Sequence, residues 1–241
     1  MTRPTVDLNA DLGEEVTDDA ALLAVVTSAN VACGYHAGSA AIMRAVCEEA
    51  ARRGVTVGAQ VSYDDRENFG RVARDVPAAV LREQVADQVG TLAEIAAAAG
   101  TAVRYVKPHG ALYHRVIDDA DQAGAVLAGS GDLPVLGMAG LFLDGARAAG
   151  RRVLHEGFPD RGYGADGRLL ARGLPGALLE DAAAIAAQAV RLAPRVDSVC
   201  VHGDSLGAVA HARAVRRALE ESGHTVGSWW PGDRAAGVGG S

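Results

Sequence analysis

Residues 7–15 read DLNADLGEE, and they carry the chain's first β-branched run, residues 6–8, into a turn. An open, doubly wound sheet that binds a dinucleotide places GxGxxG at this position, where glycines and a helix N-terminus cradle phosphate. An acidic stretch repels phosphate, so the reading turns to the other parallel architecture, a closed barrel. There the polar residues gather at the C-terminal ends of several strands, where the loops meet at one mouth. If the strand continues to Asp11, then Asp7, Asn9 and Asp11 point to one side, because strand side chains alternate. Two carboxylates and an amide inside a barrel cannot stay ionised and unpaired; they require a metal, a cation or shared protons.

The rest of the chain repeats that pattern. β-Branched runs recur at residues 55–59, 103–106, 134–138, 153–156 and 196–201, with 30–33 a weaker candidate. Helical stretches lie between them: Ser39 can cap a helix running to Arg53 and stopped by Gly54, Pro77 opens one stopped by Gly100, and Asp118 can cap a third. Residues 141–149, 177–192 and 205–222 fit further helices. Strand and helix alternating about seven times predict an α/β fold built on a parallel sheet, and polar residues gathered at the strand ends favour its closure into a barrel. Polar signatures finish or follow most strand runs: NVACGYHAG, VGAQVSYDD, VKPHG, HEGFPDR and VCVHGD. With no internal repeat or linker, residues 1–230 are expected to form one barrel domain, and the Gly-rich residues 231–241 a flexible tail.

Composition narrows the partners. The 241 residues carry a net charge of -7, and no arginine cluster is interleaved with aromatics, which argues against nucleic acid and anionic membrane. Apolar runs are broken by charge before a membrane span is reached, and the N-terminus shows no signal-peptide core, so a cytoplasmic protein is expected. Three widely spaced cysteines suggest neither a disulfide framework nor a zinc knuckle. Lys107 is the chain's single lysine beside 22 arginines. Because a P-loop needs GxxxxGK[ST] and Lys107 precedes a proline, this chain holds no Walker A site.

Chemistry concentrates on a few positions. His36, His109 and His202 sit at strand ends beside glycine, in YHAG, PHG and VHG, where a small neighbour lets backbone or substrate approach the imidazole. Asp plus several histidines is also ligand chemistry for zinc or manganese. The HxH of amidohydrolase-type metal barrels is nevertheless replaced by DLN, and no HExxH occurs. Cys33 could act as a nucleophile with His36 as its base, but buried cysteine as a small hydrophobe is the commoner case. Asp11 and Glu14 could instead cap the helix that follows.

Taken in order, DLNADLGE, SANVACGYHAG, GAQVSY, FGR, VKPHGALY, EGFPDRGYGADGRLLAR and CVHGD resemble the LamB/YcsF family, the family of the A subunit of bacterial 5-oxoprolinase. The resemblance spans nearly the whole chain. It implies a deformed TIM-like barrel with about seven parallel strands, and ATP-dependent ring opening of 5-oxo-L-proline to L-glutamate together with subunits B and C. ATP would then be co-substrate of the complex, with a divalent metal open as a further cofactor. The chain departs from the family pattern at Gln60, where histidine is expected, at Val61, Ser39 and His114. On this reading Asp11 is the general base, His109 the general acid or second base and Lys107 the cation that steadies developing charge. Asp7, Asn9, His36, Arg71, Arg161, His202 and Asp204 are expected to bind or orient substrate, the two arginines gripping its carboxylate. Rival expectations are a metal-dependent amide or carbohydrate hydrolase or deacetylase, and a non-catalytic small-molecule binding subunit.

Overall fold

The computed structural model describes residues 4–203 and 207–230. Strands β1 (Thr5–Leu12), β2 (Ser28–Ala32), β3 (Thr56–Val61), β4 (Val103–Pro108), β5 (Val135–Gly137), β6 (Val153–Gly157) and β7 (Ser198–Val201) pair in parallel in chain order. β1 also pairs with β2, Asn9 opposite Ser28 and Asp11 opposite Asn30, which closes the sheet into a barrel of seven parallel strands. A two-residue β8 (Thr225–Val226) pairs with Thr5 and Val6 at the N-terminal end of β1. The helices are α1 (Asp19–Leu23), α2 (Ala40–Arg53), α3 (Ala78–Ala98), α4 (Gly110–Asp118), α5 (Ala120–Gly129), α6 (Leu141–Ala148), α7 (Ala182–Leu192) and α8 (Ala208–Glu221). Among the described residues no helix is long and apolar enough to cross a membrane.

Local chemistry explains most element ends. The Ser39 side chain accepts from the Ile42 amide to start α2, and Gly54 ends it in the left-handed conformation at φ 68°. Three expectations shift. Asp118 closes α4 instead of capping a helix; its neighbour Asp119 caps α5, accepting from Asp121 and Gln122. α4 itself had no separate signal, because its glycine start reads as a turn. α7 begins at Ala182, capped by Asp181, five residues later than the apolar pattern suggested. The tail at 231–241 and the start of the last helix at Ser205 lie outside the described residues.

The period-two pattern sorts the barrel into two environments. Val6, Leu8, Ala10 and Leu12 of β1 face outward into the main apolar core beneath the helices. Asp7, Asn9 and Asp11 face the lumen, as the alternation predicts, and are buried. The lumen is floored by Tyr105, Leu136, Leu154 and Trp230, with the Tyr105 and Trp230 rings stacked 4.4 Å apart. The polar layer above pairs internally. Thr27, Ser28 and Ser198 donate hydroxyls to Asp7, whose pKa burial nevertheless raises. Asn30 Nδ2 donates to both Asn9 and Asp11, at 2.7 and 2.9 Å, while the Tyr105 hydroxyl donates to Asn30 at 2.6 Å.

Candidate active site

At the mouth the lumen ends in one buried cation between two carboxylates. Lys107, 2% exposed at the end of β4, places Nζ 2.9 Å from Asp11 Oδ1 and 2.9 Å from Glu156 Oε1. Cys200 Sγ lies 3.2 Å from the same nitrogen, and Tyr113 on α4 donates to the far oxygen of Glu156 at 3.0 Å. Burial would raise the Asp11 pKa, but the Lys107 ammonium outweighs it and holds the carboxyl far below the usual range. Burial likewise works against the Lys107 charge, and the carboxylates, Asp11 foremost, lift its pKa well above the ordinary value. Asp11 is therefore a firmly ionised counter-ion, which makes it a weak proton acceptor and argues against the general-base role expected from the sequence.

The histidines separate into two environments. His202 follows β7 and binds Asp160 through Nδ1 at 2.9 Å, with its own amide donating to the same carboxylate. Burial lowers its pKa, yet the Asp160 charge and hydrogen bond outweigh that and raise it. His36 and His109 instead stack on each other at 4.0 Å. Burial lowers both, His36 to about 4 and His109 well below its ordinary value, so both are neutral at pH 7. Two glycines allow this packing. A Cβ on Gly110, at φ 59°, would meet the Gly70 carbonyl at 2.3 Å, and one on Gly70 would meet Ser62 Oγ at 2.3 Å and His36 Cβ at 3.0 Å. The FGR and PHG loops thus interlock, Ala111 N donating to Gly70 O at 2.8 Å.

A cavity of about 370 Å³ opens above Lys107. Asp11, Lys107, His109, Arg71, Arg161 and His202 reach its wall, together with His114, Phe158 and Arg172, which the sequence reading did not assign to it. Asp7, Asn9 and His36 do not: the first two lie deeper in the lumen, and His36 lies behind His109. Arg161 lines the wall but is 3% exposed, and its guanidinium donates to the Ala177 and Leu170 carbonyls. That makes it a brace for the loop, whereas Arg71, stacked 4.8 Å over Phe69, is the arginine better placed to meet an anion. Asp204 lies outside the described residues. Cys33 donates to the Val31 carbonyl and its thiol is pushed up by burial, which removes it as a nucleophile.

The sequence matches the LamB/YcsF family over residues 6–231. The chain belongs to the LamB/YcsF family. It is 52% identical to the 5-oxoprolinase A subunit of Streptomyces avermitilis, over 93% of this chain and 99% of that one. It is 51% identical to the 5-oxoprolinase A subunit of Mycobacterium avium, over 90% and 96% of the two chains. The solved lactam utilization protein of Thermus thermophilus shares the fold with a TM-score of 0.86 at 33% identity, covering 93% of this chain and all of that one.

Within this LamB/YcsF barrel, the residue that sequence reasoning passed over is Glu156. The run VLHEG alternates, so an inward Leu154 places Glu156 inward and His155 outward. Asp160, 42 residues from His202, had no sequence signal. Glu14 was weighed only as a helix cap, but Asp18 caps α1, and Glu14 is instead 6% exposed and bonded to Gln60 at 3.0 Å.

Proposed function

We propose that this chain is the A subunit of an ATP-dependent 5-oxoprolinase that opens 5-oxo-L-proline to L-glutamate together with subunits B and C. The observation that carries the reading is the cavity itself, a small-molecule space with a buried ammonium in its floor and Arg71 and Arg172 on its wall, in a chain about half identical, over nearly its full length, to proteins named as 5-oxoprolinase A subunits.

A five-membered lactam resists water at neutral pH, so its carbonyl must be activated. With no P-loop in this sequence, the phosphoryl transfer from ATP to the lactam oxygen is assigned to the partner chains. Water then adds to the activated carbon, giving a tetrahedral centre that carries hydroxyl, phosphate oxygen and ring nitrogen. Expelling phosphate would restore the lactam, so the productive step breaks the carbon–nitrogen bond and leaves an acyl phosphate. The nitrogen must take a proton as it departs, and a second water releases phosphate and glutamate.

The residues divide this work by their electrostatics. His202, whose pKa the Asp160 carboxylate raises, is the proton donor to the departing nitrogen. His114, at the exposed rim, has its pKa lowered by partial burial and by the guanidinium groups of Arg161 and Arg172, so it is neutral and suited to accept a proton from water. Lys107 steadies negative charge on the tetrahedral centre, and Asp11 and Glu156 hold it in place. Arg71 takes the substrate carboxylate, since a guanidinium fork matches it. His109 supports the wall, because Nε2 meets the Phe69 carbonyl and Nδ1 meets Gln60. Glutamate release from 5-oxoproline and ATP, measured with this chain alone and with subunits B and C, tests the reading. Turnover is expected only in the mixture; a mixture that is equally active without this chain removes it.

A further inference from the structure

Behind the cavity wall three lone-pair donors converge from three loops. Glu14 follows β1, His36 follows β2 and His109 follows β4, and all three are buried. Glu14 Oε1 lies 3.8 Å from His36 Nε2 and 3.6 Å from His109 Nδ1, and one donor atom from each residue falls within 4.8 Å of the others. Ligands about 2.0–2.2 Å from a tetrahedral zinc ion stand roughly 3.3–3.6 Å apart. Small side-chain rotations close the difference.

Two observations separate this group from an ordinary polar cluster. The first is the tautomer of His109. Its Nε2 lies 3.1 Å from the Phe69 carbonyl, which can only accept, so Nε2 carries the proton and Nδ1 turns its lone pair toward Glu14. A backbone carbonyl on the far nitrogen is how metal-bound imidazoles are oriented. The second is His36, 1% exposed, whose two ring nitrogens meet no hydrogen-bond partner among the described residues. Leaving a buried polar group unsatisfied is costly, and here one of its nitrogens is aimed at Glu14.

Gln60 completes the arrangement. Its amide nitrogen donates to Glu14 at 3.0 Å and lies 2.9 Å from His109 Nδ1, occupying two of the three acceptors, while its own Oε1 is buried without a partner. Turning the amide over exchanges nitrogen for oxygen and presents a fourth donor to the same point.

We propose that Glu14, His36 and His109 bind one divalent transition-metal ion of the zinc type, with Gln60 covering two of the three donors in the metal-free protein and supplying an oxygen when the ion is held. Two imidazoles and a carboxylate suit zinc, cobalt or nickel, whereas magnesium and calcium favour oxygen ligands alone.

The test is binding, measured apart from turnover. Protein stripped with a chelator is titrated with Co²⁺ and followed by visible absorption, then with Zn²⁺ against a chromophoric chelator. One equivalent is expected, with visible bands of a four- or five-coordinate ion. Glu14→Gln and His36→Ala should each weaken binding at least about 100-fold, more than the loss of an outer partner costs, and circular dichroism checks that each variant is folded. Gln60→Ala removes one neutral oxygen donor and should weaken binding less than either of those variants. Absence of stoichiometric binding by the wild-type chain overturns the proposal without any variant, and so does binding that Glu14→Gln and His36→Ala leave unchanged.

Discussion

Replacing Lys107 with methionine keeps the length of the side chain and deletes its charge. The ammonium is 2% exposed and touches Asp11 and Glu156 at 2.9 Å each, so the change leaves two carboxylates facing each other in a dry lumen. Removing one partner of a buried ion pair costs about 3–5 kcal/mol. At about 2–4 °C per kcal/mol for a chain of this size, the melting temperature should fall by roughly 6–20 °C. The pH dependence is the sharper signature. In the wild type the depressed Asp11 pKa contributes stability that is present above about pH 3.9 and is lost as pH falls through the folded value. The raised Lys107 pKa contributes below about pH 10.4 and is lost above. Both contributions are complete between pH 5 and 8, so wild-type stability from this pair is flat there. In Lys107→Met, desolvation acts on Asp11 without the cation, its folded pKa rises above the unfolded one, and the folded state takes up an extra proton. The deficit should therefore be largest at pH 8 and shrink toward pH 5 in urea melts. A deficit below about 1 kcal/mol, or one equal at the two pH values, refutes the account of the lumen.

Three further outcomes follow from the same geometry. Asp160→Asn removes the charge that raises the His202 pKa, so the alkaline limb of the reconstituted complex's pH–rate profile should move to lower pH; because the His202 pKa is raised by folding, the stability lost should be greater at pH 6 than at pH 9 in denaturant titrations. Arg71→Ala should raise KM for 5-oxoproline by about 10- to 150-fold, the range a charged hydrogen bond of 1.5–3 kcal/mol supports, with kcat less affected in steady-state assays. Gly110→Ala forces a Cβ to 2.3 Å from the Gly70 carbonyl at φ 59°, and thermal unfolding should show at least about 2 kcal/mol lost.

The barrel and the inward face of β1 were legible because both rest on periodicity. The two-residue alternation that makes DLNADL a strand also dictates which of its side chains meet the lumen, and the strand-end glycines pointed to crowded histidines, which the interlocked Gly70 and Gly110 loops display. Lys107 was legible as a cation facing carboxylates for the same reason. The partners were less visible, since Glu156 is 49 residues from Lys107 and Asp160 is 42 from His202, and closure of the ring brings such pairs together without any local mark. Nor could spacing tell that Asp11 would share the Lys107 ammonium with Glu156. His36, expected at the rim, lies behind His109 and off the cavity wall, because the sequence carries no measure of depth.

The stacked Tyr105 and Trp230 have a consequence beyond closing the floor. Tyr105 donates to Asn30, Asn30 donates to Asp11, and Asp11 receives Lys107, so an unbroken series of contacts runs the height of the barrel. The aromatic floor and the ion pair at the mouth are therefore two ends of one contact path, so the side chains that seal the barrel below also fix where Asn30 presents its amide to Asp11.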